Sequence, residues 1–154
     1  MHSILIVEDE KDLRENLAEL FRNEGYEVFQ AADGEEGLNI ASVMFPDLIL
    51  SDIRMPRMDG LKLLEKLQEN PETSVIPVVM LTAKIEAENI REGMRCGADD
   101  YLTKPFKAKD VLESVSSRIR KKENYYTILE EARNSFVKNV PHELRTPLIS
   151  ILGF

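Results

Sequence analysis

Short apolar runs alternate, over the first 120 residues, with longer stretches in which apolar positions return every three or four residues. Ile4-Leu5-Ile6-Val7 stops abruptly at Glu8-Asp9-Glu10, the pattern of a strand buried on both faces with acids at its carboxyl end. Leu13, Leu17, Leu20 and Phe21 follow at helical spacing, and Gly25 supplies the stop. Glu27 to Ala31 predicts a second strand, and Glu35 to Phe45 a helix ended by Pro46. Leu48 to Asp52 predicts a third strand, and Leu61, Leu63, Leu64 and Leu67 mark the helix after Asp59-Gly60. Val75 to Leu81, finishing at Thr82, predicts the fourth strand, and Ile85, Ile90 and Met94 a helix closed by Gly97. The fifth strand, Asp100 to Thr103, leads to Lys104-Pro105 and a last helix from near Lys107 with Val111, Leu112, Val115 and Ile119 on one side. Such alternation requires right-handed crossovers and a parallel sheet with helices on both faces, a doubly wound five-stranded α/β domain over residues 1–120.

Residues 121–154 follow a different rule. No further strand is legible, and no Gly or Pro interrupts the chain between Arg120 and Pro141. Positions 115, 119, 122, 126, 129, 133, 136, 140 and 143 keep a three-four spacing and are mostly apolar, broken by Lys122, Arg133 and Glu143. One helix over 107–140 would be about 50 Å long, more than a small domain can cover. The expectation is a helical extension forming a coiled coil, most simply a homodimer with a second copy of itself.

Charge falls along the same boundary. The chain has 20 Lys and Arg against 28 Asp and Glu, a net of −8. Residues 121–154 carry five bases, Lys121, Lys122, Arg133, Lys138 and Arg145, against four acids, so the excess acid belongs to the first 120 residues. General binding to a nucleic-acid backbone would work against that charge, so no nucleic-acid partner is expected. A hydrophobic share of 43% implies a packed core rather than disorder. Cys96 stands alone, which excludes an internal disulfide and fits a reducing cytoplasm. No apolar stretch is long enough for a membrane span.

In open α/β sheets the functional crevice lies outside the carboxyl ends of the strands. Those ends carry Glu8 and Asp9, Asp52, Thr82 and Lys104. Carboxylates packed together repel one another, and they persist as anions only with a cation among them. Hard oxygen ligands with room for water and phosphate favour Mg²⁺. Lys104 can reach a phosphate oxygen and Thr82 can donate to another. The set describes phosphoryl transfer, with Asp52, central in the sheet, as nucleophile.

In order along the chain, Glu8-Asp9, Asp52 with Met55-Pro56 and Asp59-Gly60, Thr82-Ala83 and Lys104-Pro105-Phe106 resemble the response regulator receiver domain of two-component signalling, over residues 3–120. The resemblance implies the flavodoxin-like strand order 2-1-3-4-5 and transfer of a phosphoryl group from a phosphohistidine protein to Asp52. It implies Mg²⁺ held by Asp9, Asp52, the backbone carbonyl of Arg54 and, through water, Glu8. Thr82 and Lys104 would bind the acyl phosphate, Tyr101 would be the aromatic switch residue, and positions 54 and 84 would tune the phosphate's lifetime. The acidic pair is Glu-Asp rather than the commoner Asp-Asp, which leaves the ligand set intact.

The stretch Phe136 to Leu148, with His142-Glu143-Leu144-Arg145-Thr146-Pro147, resembles the H box of sensor histidine kinases. That likeness implies that His142 takes a phosphoryl group from ATP with Glu143 as base, and that Pro141 bends the helix there. No ATP-binding domain follows before Phe154, so the sequence reads as part of a larger hybrid kinase, a receiver regulating an attached kinase module. Two other classes stay open. A phosphatase of the haloacid-dehalogenase kind would use Asp52 but needs a second acid two residues on, where Arg54 stands. A scaffold would bind a divalent ion, or dimerise, without phosphotransfer. Taken singly, Asp9 or Asp33 reads as a helix cap.

Overall fold

The computed structural model describes residues 1–83, 91, 95 and 97–138. The chain divides into two units, Met1–Ile119 and Arg120–Phe154. In the first, strands β1 (Ser3–Val7), β2 (Glu27–Ala31), β3 (Leu48–Asp52), β4 (Val78–Ala83) and β5 (Asp100–Lys104) form one parallel sheet in the order β2-β1-β3-β4-β5. This is the flavodoxin-like order that the resemblance implied. The helices are α1 (Lys11–Asn23), α2 (Gly34–Met44), α3 (Gly60–Glu69), a single turn α4 (Pro71–Ser74) and α5 (Ala108–Lys138). The expected helix through Ile85, Ile90 and Met94 lies outside the described residues.

Side chains of a strand point alternately to opposite faces, and the continuous apolar runs therefore feed two cores. Leu5, Val7, Ile49, Val78 and Met80 pack with Ala41 of α2 and Leu63, Leu64 and Leu67 of α3. Ile4, Ile6, Leu48, Leu50, Val79 and Leu81 pack with Leu17, Ala18 and Phe21 of α1 and with Val111, Val115 and Ile119 of α5. Residues 4–7 and 48–50 are wholly buried, which is why these strands lack the polar alternation of a half-exposed sheet.

α2 stops where Pro46 implied: Met44 is its last residue, and Phe45 caps it in the left-handed region at φ 46°, its N–H donating to Ala41 O at 3.1 Å. One strand boundary differs from expectation. β4 begins at Val78 rather than Val75, because α4 intervenes. Asn70 Oδ1 accepts from the Glu72 N–H at 2.9 Å and Pro71 takes the first helical position. That Asn-Pro pair was a start signal in the sequence, masked by the apolar run behind it; Val75 is in fact exposed.

In the second unit, residues 120–138 are helical as part of α5. Tyr125, Tyr126, Ile128, Leu129 and Phe136 are all exposed along it. Arg133 Nη2 reaches Glu130 Oε1 at 3.3 Å one turn earlier. No helix among the described residues is long and apolar enough to cross a membrane.

Candidate functional site

β1, β3 and β5 each deliver one charged residue to the same end of the sheet. Glu8 follows β1 directly, Asp52 ends β3 and Lys104 ends β5. The Lys104 ammonium lies 3.1 Å from Asp52 Oδ2 and 3.5 Å from Glu8 Oε2. One carboxylate oxygen each from Glu8, Asp9 and Asp52 falls within 4.8 Å of the others. Asp52 and Glu8 are buried, while Asp9 is exposed at the mouth.

The backbone fixes these side chains. The Ile53 N–H donates to Asp52 Oδ1 at 2.8 Å, leaving Oδ2 to Lys104. The Gly60 N–H donates to Ile53 O at 2.7 Å, and a Cβ at Gly60 would run into the Asp52 carbonyl oxygen. Glycine at the start of α3 thus lets the loop after β3 close tightly on the strand end. Arg14 Nη1 donates to the Glu8 carbonyl at 2.7 Å, and the Glu10 N–H to Glu8 Oε1 at 3.3 Å.

Three carboxylates against one ammonium leave an excess of negative charge. Burial, and then the Asp52 carboxylate, push the Glu8 carboxyl up to about 7 against the pull of Lys104. Burial works to lower the Lys104 ammonium, but Asp52 and Glu8 outweigh it and hold Lys104 above its usual value. An all-oxygen donor set with more charge than its lysine can offset fits a hard divalent cation, and Mg²⁺ suits it.

Thr82 is fully buried, one residue beyond Leu81, the partner of Asp52 in the β3–β4 register. Its neighbour Ala83 pairs with Lys104 itself. Tyr101 is half-buried against the core formed with α2 and α3 and pairs with Met80. The Lys104–Pro105 peptide is cis. Arg54, exposed, follows Asp52 by two residues, so no second acid stands where a haloacid-dehalogenase nucleophile needs one. His142, Glu143, Pro141, Lys84 and Cys96 lie outside the described residues.

Some contacts of this region had no signal in the chain. Arg57 Nη1 lies 3.3 Å from Oδ2 of buried Asp33, and the Gly34 N–H donates to Met58 O at 3.0 Å. The helix-cap reading of Asp33 holds at α2, but it gave no sign of Arg57 as a partner.

A family model described as the response regulator receiver domain matches residues 4–116. The DNA-binding response regulator MtrA of Mycolicibacterium smegmatis is 37% identical over 121 residues, which is 79% of this chain and 52% of that protein. A CheY-like response regulator receiver domain protein from Methanospirillum hungatei JF-1 superposes with a TM-score of 0.76 at 33% identity, over 81% of this chain and 98% of that one. The signal receiver domain of a signal transduction histidine kinase from Syntrophus aciditrophicus does so with a TM-score of 0.70 at 38% identity, over 77% of this chain and 89% of that one. The chain spans about half the length of the curated relatives it matches.

Proposed function

The chain belongs to the response regulator receiver domain family, and from that premise we propose that it accepts a phosphoryl group from a phosphohistidine protein on Asp52. The observation that carries this reading is Lys104 held between Asp52 and Glu8, with Asp9 beside them. An Asp52 carboxylate oxygen attacks phosphorus; the P–O bond forms as the P–N bond breaks, and the imidazole leaves with the electron pair and takes a proton from solvent. Phosphoryl transfer depends on positioning and charge neutralisation more than on covalent chemistry by the protein. The Ile53 N–H orients the carboxylate, and Lys104 and the Thr82 hydroxyl receive the phosphoryl oxygens of the product. Asp9, Asp52, the Arg54 carbonyl and, through water, Glu8 would hold Mg²⁺, which supplies positive charge to the phosphoryl oxygens when bound. Tyr101, half-buried beside β4, serves as the switch that follows Thr82. Incubation with acetyl phosphate and Mg²⁺ followed by intact mass should show one added phosphoryl group, absent in Asp52→Asn. No gain in the wild type would favour the scaffold reading.

The attached output is a histidine kinase module in this proposal. The support is the H-box likeness around His142, the Syntrophus aciditrophicus receiver drawn from a histidine kinase, and α5 running without interruption from the receiver core to Lys138. The exposed Tyr126, Leu129 and Phe136 are then the seam of a homodimeric coiled coil. A rotation of α5 on phosphorylation alters that pairing. Dimer affinity measured with and without beryllofluoride tests the coupling, and equal affinities would count against it. MtrA-type relatives are named as DNA-binding; the acid excess of this chain opposes backbone binding by its own residues, so it should not shift a plain DNA duplex in a gel. A cytoplasmic location accompanies this reading.

A further inference from the structure

Residues 53–59 lead from Asp52 to the start of α3, and their backbone sets the Asp52 carboxylate through the Ile53 N–H. The loop is tied at its α3 end by the Gly60 N–H. It is tied a second time, from outside the site. Arg57 has φ 66°, the left-handed region that side-chain-bearing residues seldom occupy. Glycine would sit there with less strain, yet the residue is arginine, and its guanidinium lies 3.3 Å from Asp33 Oδ2. Asp33 is buried, and its other oxygen caps α2 by accepting from the Glu36 N–H at 2.9 Å. Next to it the Gly34 N–H donates to Met58 O at 3.0 Å, and a Cβ on Gly34 would collide with that same carbonyl. α2 thus grips the loop at two consecutive residues, Arg57 and Met58.

We propose that the Asp33–Arg57 ion pair is a positioning latch for the divalent-cation site, holding the loop after Asp52 in the conformation that binds the cation. The inference rests on the phosphoacceptor reading above. Arg57 is itself exposed, with 70% of its side chain accessible, so the pair adds little to global stability. Its effect falls on the loop. Arg57 is a positioning residue and touches neither the cation nor the phosphoryl group.

The sign of the test separates the latch from simple electrostatics. Removing a positive charge near an acidic site should tighten cation binding if only the field matters. Loosening the loop should weaken it. Arg57→Gly also relieves the left-handed backbone, so the variant should fold at least as well as the wild type. The measurement is calorimetric titration of the full chain with Mg²⁺, with thermal melts of the ion-free proteins alongside. The expected result is a Mg²⁺ affinity about tenfold lower in Arg57→Gly, in the range seen when groups supporting metal ligands are removed, with an ion-free melting temperature no lower than wild type. Arg57→Lys should recover part of the loss. Asp33→Asn, which keeps an acceptor for the α2 cap, should weaken binding too, and the double variant should be no weaker than Arg57→Gly alone. An unchanged or tighter Mg²⁺ affinity in Arg57→Gly, in a wild type that gains phosphate, overturns the latch alone. A wild type that neither binds Mg²⁺ nor gains phosphate overturns the phosphoacceptor reading and the latch with it.

Discussion

At the amino ends of the strands Asp47 and Asp99 repeat one arrangement, whereas at the carboxyl ends Glu8 and Asp52 share a single ammonium group with Asp9 beside them. Asp47, just before β3, accepts from the Ser3 N–H at 2.8 Å and returns its own N–H to Ser3 O at 2.9 Å. Asp99, just before β5, accepts from the Val78 N–H at 2.8 Å and returns its N–H to Val78 O at 2.9 Å. In a parallel sheet every strand begins with N–H groups in need of acceptors and ends with carbonyls that need donors. A carboxylate at the amino end completes the backbone's hydrogen bonding. At the carboxyl end it meets mainly other acceptors, apart from loop amides such as those of Ile53 and Glu10, and for Glu8 and Asp52 the balancing charge is the Lys104 ammonium. The same residue type is therefore structural at one end and chemically poised at the other.

The strongest attack on that contrast is Asp52→Asn. It should abolish phosphorylation by acetyl phosphate, read by intact mass, and raise ion-free stability by about 0.5–2 kcal/mol in urea unfolding, since one of the crowded carboxylates is gone. The next is the cation. Mg²⁺ at a hundred times its dissociation constant should stabilise the wild type by about 2.7 kcal/mol, and Asp52→Asn far less, which a pair of denaturation curves would show. At the amino end the direction reverses: Asp47→Ala removes the part-buried acceptor of the Ser3 N–H and should cost about 0.5–1.5 kcal/mol, with phosphorylation by acetyl phosphate unchanged. A loss of phosphorylation there would erase the distinction between the two ends.

The smallest effect concerns Asp99. Burial raises its carboxyl above the usual value despite the Val78 N–H and Arg118. The folded protein then holds a proton that the unfolded chain has released, so stability falls as pH rises from the ordinary carboxylate range through the raised value, and stays lower beyond it. Asp99→Asn keeps an acceptor for Val78 and should flatten that slope, leaving the variant the more stable at neutral pH. Urea unfolding at a series of pH values checks it; parallel curves would refute it.

Much of this molecule was legible without coordinates because its strands are buried on both faces. A run such as Ile4 to Val7 has no polar alternation to blur, and the acids that end the runs fall at a fixed place in any doubly wound sheet. Glu8, Asp9, Asp52, Thr82 and Lys104 could thus be grouped by their positions at strand ends alone. The start of β4 was misplaced because periodicity does not distinguish Val75 and Ile76, in the link after α4, from strand residues. Arg57 gave no signal, since nothing in a loop sequence marks which distant residue its guanidinium will meet.

The chain's own pattern determined the order of elements, the two apolar faces of each strand and the residue types gathered at the carboxyl edge. Only the tertiary structure decided that Lys104 comes within 3.1 Å of Asp52, 52 positions earlier, that Glu8 shares that ammonium across 96 positions, and that Asp33 grips Arg57. Periodicity is a local property, set by the geometry of helix and strand. Which charges meet depends on strand order and register, and these are settled when the whole sheet closes on its two cores.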